Sequence, residues 1–113
     1  MGVYDYYGLR QPDVSARLGQ LAELLMVTWQ ERGSDYFGTY FKARAVPFGG
    51  GTFKVQPNDL VDENGPYLLK PEYPEHRYLL LVEKCPEADR VREVLSAAPE
   101  WEFLHRTVVG SPA

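Results

Sequence analysis

The chain has 113 residues, 44% of them hydrophobic, and a formal net charge of −4, which suits one globular core, leaves no room for a second, and argues against a nucleic-acid backbone as partner. Its single cysteine excludes an intrachain disulfide framework and a multi-cysteine zinc site. No stretch approaches the roughly 18 apolar residues of a membrane span, and MGVYDYYGLR lacks the basic and apolar regions of a leader, so one soluble, cytoplasmic domain over 1–113 is expected.

The first predicted element is a helix from Asp13 to Arg32. Asp13 can cap its start, Val14, Leu18, Leu21, Leu25 and Trp29 form one apolar stripe, and Gly33 is the expected stop. From Tyr36 the period changes to two. Phe37, Thr39, Phe41, Ala43 and Ala45 fall on one side of a strand, with Tyr36, Gly38, Tyr40, Lys42 and Arg44 on the other. Pro47 and Gly49-Gly50-Gly51 then turn the chain into a second strand over Thr52 to Gln56.

A strand over Tyr78 to Glu83, a helix over Pro86 to Ala97 and a strand over Trp101 to Val108 complete the pattern. The second helix carries the stripe Ala88, Val91, Val94, Leu95, Ala98, and a right-handed crossover between its flanking strands would set them parallel. The expected fold is therefore α+β, in the order α-β-β-β-α-β, with two helices packed on one face of a mixed four-stranded sheet.

Between these patterns lies PNDLVDENGPYLLKPEYPEH, from Pro57 to His76. It holds Asp59, Asp62, Glu63, Glu72 and Glu75 against the lone cation Lys70, so its charge equals that of the whole chain. A twenty-residue connection without regular structure is uncommon in a small domain unless it is functional or disordered. Pro57, Pro66, Pro71 and Pro74 stiffen it, while Tyr67 and Tyr73 supply contact area. We read it as a semi-rigid acidic recognition loop that steers a basic partner and repels phosphate.

Catalytic chemistry has little support. His76 and His105 belong to no metal-ligand spacing, and no serine occupies a nucleophile elbow. Cys85 precedes Pro86, where a helix start can activate a thiol, but no base can be assigned to it. His105 alternates with Trp101, Phe103 and Thr107, which suggests a place at the core's edge; His76, beside Glu72 and Glu75, is a candidate for a pH-dependent contact. Tyr36, Tyr40, Lys42 and Arg44 offer too few cations for a nucleic-acid site. No enzymatic activity, metal or cofactor is expected.

In size, charge and layout, the succession YFGTYFKAR, GGGTFKVQPND, an acidic proline-containing loop and PEADRVREVLSAAPEWEFL resembles the small immunity proteins of bacterial polymorphic toxin systems. The resemblance implies stoichiometric binding to a cognate toxin, often a nuclease with a basic cleft. On charge and exposure, Asp59, Asp62, Glu63, Glu72 and Glu75 would then mimic phosphate, with Tyr67 and Tyr73 as anchors. The competing reading is a small-molecule-binding or homodimer-forming α+β domain, possibly enzymatic, whose pocket is lined by Tyr36, Tyr40, Arg44 and Trp101.

Overall fold

Eight strands and two helices are present in the computed structural model, which describes residues 2–34 and 38–109. In chain order they are β1 (Gly2–Leu9), α1 (Ser15–Leu25), β2 (Gln30–Ser34), β3 (Gly38–Arg44), β4 (Thr52–Pro57), β5 (Asp59–Asp62), β6 (Gly65–Leu68), β7 (Tyr78–Glu83), α2 (Ala88–Leu95) and β8 (Trp101–Val109), with a short 3₁₀ turn over Val46–Phe48. The α+β class is as expected. The sheet, however, has six strands in the order β2-β3-β4-β7-β1-β8 rather than four, and β5 and β6 form a separate two-stranded sheet. Each neighbouring pair is antiparallel, so the sheet is not mixed.

Three physical causes account for the differences. The first is β1, whose helix-facing side is Asp5, Tyr7 and Leu9; all three are buried, and a carboxylate among them hides the apolar alternation. Asp5 is tolerated because its register partner on β8 is Arg106, whose Nε and Nη2 donate to the two carboxylate oxygens at 2.8 and 2.9 Å. Because β1 lies between β7 and β8 and runs antiparallel to both, those two strands point the same way, as the crossover rule requires, without touching as neighbours.

The second concerns α1, which ends at Leu25 instead of Arg32. Met26 turns left-handed (φ 56°) and its amide closes on the Ala22 carbonyl. Val27 and Thr28 follow, β-branched residues that favour extended chain, and the sequence Gln30–Ser34 becomes edge strand β2. Trp29 fits the helical stripe because it folds back along the helix, its Nε1 donating to the Leu18 carbonyl at 3.0 Å. Gly33 therefore lies within a strand rather than capping a helix. Asp13 does serve the helix start, accepting from the Ser15 amide at 3.0 Å.

A β-bulge on β8 is the third. Tyr6 pairs with His105 while Tyr7 pairs with Phe103, so Leu104 is the extra residue and alternation reverses there. His105 consequently leaves the face that holds Trp101 and Phe103 and lies exposed beside Tyr6.

Both helices cover one face of the sheet. The core joins Leu21 and Leu25 of α1 and Val91 and Leu95 of α2 to Tyr7, Leu9, Phe53, Val55, Leu80, Val82 and Trp101. The helix α2 begins at Ala88, two residues past Pro86, and buries Ala88, Val91 and Leu95 of its anticipated stripe. The opposite face is covered only in part, by the segment that carries the acidic residues.

Candidate functional site

That segment is anchored on Asn58, which is fully buried. Its side-chain amide donates to the Tyr73 and His76 carbonyls, both at 2.9 Å, and its side-chain oxygen accepts from the Lys70 amide at 2.8 Å. Its own amide donates to the Arg77 carbonyl at 2.8 Å, and its carbonyl accepts from the Leu69 amide at 2.9 Å. One asparagine thus bonds to five residues, four of them within the segment, and it meets the requirement that buried polar groups be paired.

Beyond this clasp the chain is not a featureless loop. β5 and β6 pair from Asp59–Leu68 to Asp62–Gly65, turning at Glu63-Asn64. Asp62 Oδ1 accepts from the Asn64 amide at 2.8 Å, a local Asx closure, and Gly65 takes the positive φ (109°) the turn demands. Leu60 is buried and Val61, its neighbour, is exposed.

The returning stretch crosses the otherwise open sheet face. His76 is only 4% exposed and lies over Gly8, where a Cβ would collide with the imidazole and with Leu104. Its Nε2 is 2.6 Å from Glu102 Oε2, which also accepts from Arg10 Nε at 2.8 Å. The His76 hydrogen bond, then that of Arg10, holds the Glu102 carboxyl below its ordinary range. The Lys70 ammonium sits 4.6 Å from the centroid of the Tyr6 ring, and the Tyr73 ring packs edge-on against His76.

The predicted partner-binding residues therefore divide. Asp59, Asp62, Glu63, Glu72 and Glu75 are all exposed. Asp59 is paired with Arg77 at 3.1 Å and Glu75 with Arg10 at 3.4 Å. Asp62, Glu63 and Glu72 make no ion pair among the described residues. Tyr67 stands opposite Leu60 on the hairpin at the border of exposure, and Tyr73 is half-buried against the body.

Of the residues expected to line a pocket, the three that are described do not share one face of the sheet. Tyr36 lies outside the described residues. Tyr40 and Arg44 are on β3, facing away from the helices, whereas Trp101 is buried beneath the helices on β8, at the other edge of the sheet. Arg44 lines a cleft together with residues of the α1–β2 connection. Cys85 is buried, and burial pushes its thiol up, opposite to the activation that its place before a helix suggested.

Sequence reasoning missed Asn58 and Glu102. Asn58 reads as one more turn residue in a proline-rich stretch, and nothing in its neighbours signals burial. Glu102 lies 26 residues from His76 in sequence but adjacent in space, because β8 borders β1 and Gly8 leaves room above it.

Comparison with known protein families, with curated proteins and with solved structures finds no match to this chain. Among the described residues no helix is long and apolar enough to cross a membrane.

Proposed function

We propose that this protein is a non-enzymatic binding module that presents the hairpin and the Glu72 turn to a basic protein partner, in the manner of an immunity protein capping a bacterial toxin domain. One observation carries the reading: Asp62, Glu63 and Glu72 are exposed, without cationic partners among the described residues, on a segment clasped by buried Asn58. A preorganised anionic lobe loses little entropy on docking, and its field raises the association rate of a cationic partner. The pairs Asp59–Arg77 and Glu75–Arg10 brace its base; they leave the unpaired carboxylates as the phosphate-like charges and Val61 and Tyr67 as the apolar contact area.

The test uses the protein encoded beside this chain in its native genome, purified and titrated by surface plasmon resonance. Changing Asp62, Glu63 and Glu72 together to Lys is expected to slow association about tenfold or more at low salt and to abolish protection of cells that express the partner. An association rate insensitive both to these changes and to ionic strength would refute an electrostatically docked lobe.

A further inference from the structure

A second charged feature lies at the other end of β4. β2 pairs with β3 only from Gln30–Lys42 to Ser34–Gly38, and past Lys42 the residues Ala43 and Arg44 keep their β4 partners alone. Where the strands part, the α1–β2 connection and the start of the 3₁₀ turn enclose an open cleft of about 990 Å³. Arg32, Lys42 and Arg44 line it, with Met26 and Val46 as apolar lips, and no described lining residue is a carboxylate.

The pairing of cations elsewhere makes this cleft distinctive. Arg10, Arg17, Lys54, Arg77, Arg90 and Arg106 each have a carboxylate partner. Lys70 and Arg92 lie over aromatic rings. Among the described residues this leaves Arg32, Lys42, Arg44 and Lys84 with neither, and three of these four line the cleft. Met26 and Val46 are 63% and 71% exposed, large apolar side chains held in water beside the unpaired cations.

We propose that the cleft binds an extended acidic segment of another protein, with carboxylates alternating with apolar side chains. Its main chain would pass the free edge of β3 at Arg44, past the last β2 partner of that strand, its carboxylates would meet Arg32, Lys42 and Arg44, and its apolar side chains would cover Met26 and Val46. Addition of a strand to an open edge supplies main-chain hydrogen bonds, and alternate side chains supply selectivity. A free phosphate has no use for apolar lips and finds no glycine cradle, since the Gly49 and Gly50 amides already donate to the Val46 and Ala45 carbonyls. Nucleic acid would gain only a few phosphate contacts from three cations.

The experiment is fluorescence anisotropy of the full chain with a labelled peptide of alternating glutamate and valine. Saturable binding is expected, weakened about tenfold when Lys42 and Arg44 are both changed to Glu and weakened as salt rises. Met26→Ser with Val46→Ser should weaken it about threefold without altering the salt dependence. Lys84→Glu, and Asp62→Lys with Glu63→Lys, should leave it unchanged. Circular dichroism checks folding, and Lys42→Gln with Arg44→Gln replaces the reversal should that variant misfold. The proposal is overturned by affinity indifferent to Lys42 and Arg44, or by inorganic phosphate or oligothymidylate displacing the peptide at similar concentration. It is equally overturned by self-association that both the Asp62/Glu63 and the Lys42/Arg44 reversals abolish, which would assign the cleft to a second copy's hairpin.

Discussion

Asn58 and Asp5 are polar residues without exposure, and each holds distant parts of the chain together. Replacing Asn58 by Ala strips partners from the Tyr73 and His76 carbonyls and the Lys70 amide, so a loss of about 2–4 kcal/mol is expected in urea denaturation. Asp5→Ala leaves Arg106 half-buried and held only by Asp89 at 2.6 Å, which should cost about 3–5 kcal/mol, whereas Asp5→Leu with Arg106→Met should recover most of it. Glu102 adds a pH dependence. Its carboxyl is depressed in the folded state, so it stabilises the fold above the ordinary carboxylate range, and that contribution disappears as pH falls through its lowered value. Glu102→Gln should flatten the acid limb of a stability–pH curve measured by thermal melts. None of these three couplings was legible in sequence, because Asp5 and Arg106 are 101 residues apart and a buried polar residue looks like a surface one until its partner is known.

At the scale of elements, the β5–β6 hairpin is separable from the body. Its strands share no pairing with the main sheet, Leu60 stands outside the main core cluster, and the two ends of the hairpin meet where the Leu69 amide reaches the Asn58 carbonyl at 2.9 Å. Excision of Asp59 through Leu68, bridged by two glycines, is expected to leave a cooperative melt with a loss of about 1–3 kcal/mol while eliminating the basic-partner interaction. Strands β3, β4 and β7 and the inward stripe of α2 were readable because a strong period stood alone in each, whereas in β8 the strand was readable but the face of His105 was not, because the bulge at Leu104 reverses the alternation. α1 was overextended since Trp29 meets the stripe by folding back rather than by continuing the helix. The hairpin went unread because its strands are four residues each, and Pro66 interrupts the second.

Over the whole molecule, the two charged features occupy opposite ends of β4, with Thr52 at the cleft and Pro57 beside the lobe, roughly 17 Å apart along the strand. On the two proposals taken together, the protein would touch two unlike partners at once. Binding at the two ends should be independent, so saturating the cleft with peptide is expected to shift the partner's affinity for the lobe by less than about twofold in a competition titration. Charge tallied along the sequence located the acidic end, because those carboxylates all fall between Pro57 and His76. The basic cleft was invisible to the same tally: Arg32 reads as a helix terminus, while Lys42 and Arg44 belong to a strand, and only the pairing of β2 with β3 brings them together.

The position of β1 has one more outcome, for biosynthesis. The strand nearest the amino end is flanked in the finished sheet by two strands from the last third of the chain, so a polypeptide emerging from the ribosome cannot complete its sheet until Trp101 to Val109 has cleared the exit tunnel. Until then Tyr7 and Leu9 lack part of their final cover, so a stalled chain is expected to show more of the protease sensitivity of an incompletely folded polymer than the finished sheet does.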